Sequence, residues 1–536
     1  MPSATERLAS AVDKTSYVVK GKIWTGDGSL PYAGWFRVRD GAVTETGLSG
    51  DFAPEPGEEV LDFGTNLVLP GFTDAHIHFT AFAKRRLYRD LSNVRSLEEM
   101  LDALREECAK AGKGKWVRCI NYNESCWENP RLPDIHMLDE AAPDNPVILS
   151  RYCGHNHNVN TAGFKKAGLY DSESGDIVRG ADGTPTGLIT EGGAGTIIEA
   201  VAAEYETPEK LRELIHEACI ELVSQGITAV HANDAPSYAL GEDLAAMQDL
   251  EAQGRLPLRV LCYHDRLPNY TIKSGFGNDM ISFAGLKLFA DGCLGGHTAA
   301  LNEPYSDAPE TRGLLNWTDG EMYSMLAEAC RRGIQVQIHA IGDTAIEQVV
   351  AAIEKVVAEY GRPELPFRIN HCIVCPKSVV ERIAASGSAV DLQPVQAYTD
   401  RQMAPLRLGA RMEHSYSFRT LQDAGILLTG SSDAPVEDPN PWISIWCAVC
   451  RSEDDGSPLA GFNPDEKLDL DSALKLYTVN PWKAVGRGGS FGKIAPGYAA
   501  DFTVVDGDPT AGPEDGLRRV KNIATFVGGR CVFKRD

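Results

Sequence analysis

Six side chains spread along this chain have the chemistry of divalent-cation ligands: His76, His78, Lys287, His339, His371 and Asp433. His76 and His78 close the run Leu67-Val-Leu-Pro-Gly-Phe-Thr-Asp-Ala-His-Ile-His78. Strand side chains repeat every two residues, so both imidazoles project from one face and can grip one ion. A lone H-x-H is a common coincidence. Here three more β-type runs end in polar groups: Ile334 to His339, Phe367 to His371, and Ile426 to Gly430 followed by Ser431-Ser432-Asp433. Lys287 is different, because it lies inside the apolar run Phe283 to Ala290. An ammonium there is costly to desolvate. The side chain either snorkels to a strand edge or sits as a neutral amine of depressed pKa. Such an amine can take up carbon dioxide as a carbamate, an anion able to bridge two metal ions.

These groups need elements that bring their strand ends together. Helix and strand signals alternate through the middle of the chain. Thr207 caps a helix with Pro208 in its first turn, and Leu211, Leu214, Ile215, Ala218 and Leu222 form its apolar face. Gly226 then precedes the strand Ile227 to His231. Thr318 to Glu321 reads as a capping box before a helix bearing Met322, Met325, Leu326 and Ala329, and Gly333 precedes the next strand. A third helix carries Ile346, Val349, Val350 and Ile353. Repeated helix–Gly–strand units imply a parallel sheet. About 400 residues of them predict an α/β (β/α)8 TIM-like barrel, whose sites lie at the C-terminal strand ends. A doubly wound sheet is the runner-up, but no Gly-rich phosphate loop follows the first strand. Both ends of the chain are β-rich, with turns at Asp27-Gly28, Asp40-Gly41 and Asp506-Gly507. The expected domains are a small β-sandwich built from residues 1–69 and 487–536, and a barrel of 70–486 with an insertion at about 110–205.

Phe72-Thr-Asp-Ala-His-Ile-His78, Gly285-Leu-Lys-Leu-Phe-Ala-Asp-Gly292, Gln337-Ile-His339, Asn370-His371 and Gly430-Ser-Ser-Asp-Ala-Pro435 together resemble the amidohydrolase superfamily. The resemblance extends over nearly the whole chain, through Leu188-Ile-Thr-Glu191, Pro304-Tyr-Ser-Asp307 and Gly492 to Asp501. It is closest to the amidohydrolase-3 branch of YtcJ-like and N-substituted formamide deformylase-like proteins. The resemblance implies that His76 and His78 bind one metal, His339 and His371 a second, and a carboxylated Lys287 bridges them. It also implies that Asp433 touches the first metal and shuttles a proton. Two cations about 3.5–4 Å apart lower the pKa of a shared water and polarise a carbonyl. Zinc suits imidazole and carboxylate ligands best, with manganese or iron also compatible. One or two ions per chain are expected, one if Lys287 stays unmodified.

The predicted reaction is hydrolysis of a non-peptide C–N bond, in an amide or N-substituted formamide. A deaminase is second, but His339-Ala-Ile-Gly-Asp343 lacks the H-x-x-E usual there. A lactonase or decarboxylase shares the scaffold, and a catalytically dead relative would have lost ligands. Residues expected at the substrate are Trp127, His155, Asp291 and His297. Trp127 reads equally as a pocket aromatic or as core. His155-x-His157 reads as a polar loop or a pocket wall. The segment Asp291 to Thr298 holds Cys293 and His297 where the family commonly shows Ser and Arg. That loss of a cation weakens the case for a carboxylate-bearing substrate.

Composition narrows the partners. The 536 residues carry a net charge of −23 and are 43% hydrophobic and 24% charged. An acidic, ordinarily globular chain disfavours nucleic acid and membranes as partners. Its 13 Cys are scattered and read as reduced thiols. The two C-x-x-C spacings, Cys372–Cys375 and Cys447–Cys450, are too far apart for a zinc ribbon. Residues 1–16 are polar, without a secretory core, and no run of 18 apolar residues occurs. A cytoplasmic homodimer acting on a small molecule is the default expectation.

Overall fold

Apolar runs that follow helices become eight parallel strands: β1 (Phe72–Ile77), β2 (Ile227–Ala232), β3 (Arg259–His264), β4 (Ile281–Phe289), β5 (Gln335–Ala340), β6 (Arg368–His371), β7 (Ala389–Leu392) and β8 (Leu427–Gly430). Each pairs in parallel with the next. Just beyond β1 and β8 the chain bonds across the seam. The Asp433 N–H donates to the His76 carbonyl at 2.8 Å, and the His78 N–H to that of Ala434 at 2.9 Å. The strands are buried on both faces, which is why they read as continuous apolar runs. The computed structural model describes residues 16–151, 156–234, 240–269, 271–512 and 514–535. It divides into two units, one of described residues up to Phe82 and from His216 onward, the other Ala83–Ile215.

The helices begin where the caps place them. Thr207 accepts from the Lys210 N–H ahead of the helix Pro208–Ser224. Thr318 and Glu321 form a reciprocal capping box on the helix Asp319–Arg331. The helix Asp343–Tyr360 buries Ile346, Val349, Val350 and Ile353. Among the described residues no helix is long and apolar enough to cross a membrane.

Both ends of the chain meet in one seven-stranded sheet, ordered Arg530–Lys534, Asn522–Val527, Phe502–Val505, Val60–Pro70, Ser16–Trp24, Tyr32–Arg39, Ala42–Gly47. The strand Val60–Pro70 pairs parallel with Ser16–Trp24 and antiparallel with Phe502–Val505. The sheet curls, so Val43 and Cys531 from its two edge strands share one core with Phe36, Phe502 and Phe526. The run Leu67 to His78 is not one strand. Gly71 divides it between the terminal sheet and β1, and a Cβ there would lie 2.2 Å from the Thr228 side chain.

A buried ion pair fastens this sheet to the barrel. Arg259 of β3 donates to both carboxylate oxygens of Asp501 at 2.7 and 2.8 Å. Each side chain is 6% exposed. Removing one partner strands a buried charge. Arg259→Met is expected to destabilise the protein by about 3–5 kcal/mol, read as a lower denaturant midpoint.

The second unit has its own six-stranded sheet, ordered Ile177–Arg179, Pro185–Thr190, Asn156–Val159, Val147–Arg151, Val117–Tyr122, Arg89–Asp90. Successive residues Ile148 and Leu149 face opposite sides and belong to different cores. The unit begins earlier than the expected 110, because the helix Leu97–Ala111 packs Met100 and Leu104 into its core. Trp127 sits in that same core and its indole N–H donates to the Val94 carbonyl at 3.1 Å. His155 lies outside the described residues.

Candidate metal centre

Strand period and barrel closure put the predicted ligands together. The Nε2 atoms of His76 and His78 lie 3.2 and 3.3 Å from Asp433 Oδ1. One ligand atom from each of the three residues falls within 4.8 Å of the others, a spacing that can hold one cation. No cysteine joins such a group among the described residues, and the described cysteines are all free. His339 and His371 form a second imidazole pair with ring centroids 4.4 Å apart. His371 in turn lies 5.3 Å from His76. Lys287 Nζ is 3.2 Å from His76 Nε2. All six predicted ligands therefore share the C-terminal mouth of the barrel.

The buried donor set fits a metal ion. Both ring nitrogens of His371, Nδ1 of His76 and Oδ1 of Asp433 are buried without a hydrogen-bond partner of ordinary geometry. Native proteins rarely leave such groups orphaned. His339 Nε2 lies 2.9 Å from the Gly292 carbonyl, the contact by which a ligating imidazole is commonly oriented. His371 and Asp433 adopt left-handed backbone angles, φ 69° and 60°. For residues with side chains this is strained and marks sites where function holds the strain.

Electrostatics suits the same reading. Burial depresses the Lys287 ammonium to about 7, so much of it is neutral near physiological pH. Burial also pushes His76 and His339 well below the usual imidazole range, and His371 down to about 4. Imidazoles so held present lone pairs rather than protons. Burial alone would raise Asp433, but the His78 hydrogen bond and the neighbouring His371, His78 and Lys287 charges bring it down to about 2. It is a carboxylate across the working range.

Neighbouring acids hold the ligands in place. Asp74 accepts from the backbone N–H groups of His76 at 3.2 Å and Ser432 at 3.1 Å, and from the Ser432 hydroxyl. It thereby joins the ends of β1 and β8. Asp291, expected at the substrate, gives its carboxylate to the N–H groups of Ala300, Ile341 and Gly342 at 2.9–3.1 Å. It is 2% exposed and organises the loops after β4 and β5.

His297 lies in the β4 loop with φ 55°, its Nε2 3.3 Å from Asp307 Oδ1. Arg407 also donates to Asp307 and reaches the Gly295 carbonyl at 3.4 Å. A guanidinium thus does reach this loop, from a segment more than a hundred residues away. No spacing rule shows that pairing. His231 faces the barrel interior and accepts from Arg368 at 2.9 Å. His264 packs on Phe283 with centroids 5.4 Å apart. Sequence reasoning also missed Asp74 and Asp391. Each is a single acid within a β-type run, whereas Asp433 stands out by its place just past a strand end.

Comparison with known proteins agrees with this geometry. A family model described as the amidohydrolase family matches residues 59–533, and the chain belongs to that family. It is 33% identical over 513 residues to the putative amidohydrolase YtcJ of Bacillus subtilis (strain 168), covering 93% of this chain and 96% of YtcJ. It is 28% identical over 513 residues to the N-substituted formamide deformylase of Arthrobacter pascens, covering 92% of each. The solved structure of an uncharacterized metal-dependent hydrolase from Pyrococcus horikoshii OT3 superposes with a TM-score of 0.78 at 26% identity, covering 93% of this chain and 99% of that one. The fold is the amidohydrolase barrel, and these relatives support a metal-dependent hydrolase.

Proposed function

We propose that this protein hydrolyses a C–N bond of a small molecule, an amide or N-substituted formamide. The observation that carries this is the convergence of His76 and His78 Nε2 on Asp433 Oδ1 beside a second imidazole pair. His76 and His78 would hold one divalent cation and His339 and His371 a second, with zinc as the favoured ion and manganese or iron as alternatives. A carboxylated Lys287 would supply a further anionic ligand. When bound, such ions lower the pKa of water and polarise a carbonyl. Asp433 would hold a proton at its carboxylate and pass it to a leaving nitrogen, the acid–base work that C–N cleavage needs. Asp74 and the His339–Gly292 contact keep the donors in register. The formamide deformylase of Arthrobacter pascens supports the amide class of bond.

Purified protein is expected to contain one to two divalent ions per chain. A chelator should abolish turnover and added zinc restore it, while metal-free protein that remains active would sink the reading. A hydrolysis screen should find turnover among N-formyl and N-acyl amines. Activity confined to lactones would overturn the C–N assignment.

A further inference from the structure

The barrel interior below the imidazoles is polar, where such cores are ordinarily filled with branched apolar side chains. Arg368, Asn370 and Asp391 are all 0% exposed. Lys287 Nζ donates to Asn370 Oδ1. On its other end, Asn370 Nδ2 donates to Asp391 Oδ2 at 2.6 Å. Asn370 and Asp391 are direct register partners on β6 and β7. Asp391 is held by Arg368, whose Nε and Nη2 donate at 3.1 and 2.7 Å, and by the Thr429 hydroxyl.

This chain of contacts decides which way the amide faces. A carboxylate paired with Arg accepts hydrogen bonds and offers none. The NH2 end of Asn370 must therefore meet Asp391, and the carbonyl oxygen must meet Lys287. Arg368 in turn is pinned by Tyr263 at 2.8 Å, by His231, and by the Ala75 carbonyl at 3.0 Å. Turning the amide over would set its carbonyl oxygen against the Asp391 carboxylate and its NH2 group against the Lys287 amine.

We propose that Asn370, oriented by Asp391 and Arg368, is a positioning residue for the carboxylation of Lys287, its carbonyl oxygen holding the one N–H that the carbamate retains. The proposal rests on the reading above that Lys287 carries a carbamate. In that step the Nζ lone pair bonds to the carbon of carbon dioxide. One C–O π pair moves onto oxygen to make the carboxylate, and one N–H proton leaves to solvent. The remaining N–H is buried and needs an acceptor, because an unpaired buried donor disfavours the product. Asn370 Oδ1 is that acceptor. A carbamate is planar, so fixing its N–H also fixes the side on which its two oxygens stand.

The test uses the full chain supplied with zinc and 13C-bicarbonate, with the carbamate resonance read by 13C NMR and assigned by its loss in Lys287→Ala. Asn370→Leu keeps the branched shape and removes the acceptor, and Asn370→Ala is read alongside it in case the larger apolar side chain prevents folding. Circular dichroism and the unfolding midpoint verify the fold. Both variants are expected to lower the carbamate signal at least about tenfold at ambient bicarbonate. Bound zinc should fall in parallel and recover as bicarbonate is raised at least about tenfold. A simple packing lesion would not respond to bicarbonate. A full carbamate signal in either folded variant overturns the role of Asn370. Zinc lost but not recoverable by bicarbonate assigns Asn370 to packing and also overturns it. A wild-type protein without any carbamate removes the reading of Lys287 itself, and this inference with it.

Discussion

Replacing Asp433 with Asn is expected to lower kcat by about 10²–10⁴-fold, the usual contribution of a positioned acid–base group. The change preserves size, so the backbone at φ 60° and its bond to the His76 carbonyl stay in place. What disappears is the capacity to take a proton. The carboxylate is held down to about 2 by His78, His371 and Lys287, so it is ionised wherever the enzyme would work. An amide is not a base and presents one donor group toward His76 and His78. Much of the loss should therefore appear in kcat rather than KM. Steady-state kinetics on the first substrate found, with metal content measured on the same sample, checks this. Unchanged kcat would remove Asp433 as the shuttle.

Lys287→Ala is expected to lose bound metal and to reduce turnover by more than about 10²-fold. Losing an outer partner of a metal ligand already costs about 10–100-fold, and here a bridging anion would vanish. The side chain is 1% exposed, so its removal leaves an enclosed gap beside His76 and Asn370. A short carboxylic acid can enter that gap and supply the missing carboxylate. Metal content and activity should then return as acetate or propionate is titrated in. Metal binding that is indifferent to both the substitution and the acid would argue against the carbamate.

Much of this is legible in the amino-acid sequence. The H-x-H pair was readable because period 2 leaves no choice of face. The parallel strands were readable because Gly226 and Gly333 mark the helix ends that precede them. Lys287 stood out because charge is costly inside an apolar run. Other features depend on pairings that no local pattern encodes. β7 is Ala389–Leu392, and its Asp391 lies inside the strand rather than at its end. The approach of Arg407 to Asp307 joins distant loops. The division at Gly71 depends on Thr228, a residue of the adjacent strand β2 more than 150 positions later in the chain. The membership of the helix Leu97–Ala111 in the second unit reflects where that helix buries its apolar face. Its own periodicity is the same on either partner.

The strand Val60–Pro70 lies between Ser16–Trp24 and Phe502–Val505, then leads through Gly71 directly into the strand bearing His76. Its antiparallel neighbour is made more than four hundred residues later. On the ribosome the early strands therefore wait, with an open edge, until Phe502–Val505 has been made. Such long-range pairing is slow and leaves sticky intermediates. The first imidazole pair is thus encoded early and seated late. Production at low temperature with chaperones should consequently raise the yield of metal-loaded protein more than supplying extra metal does.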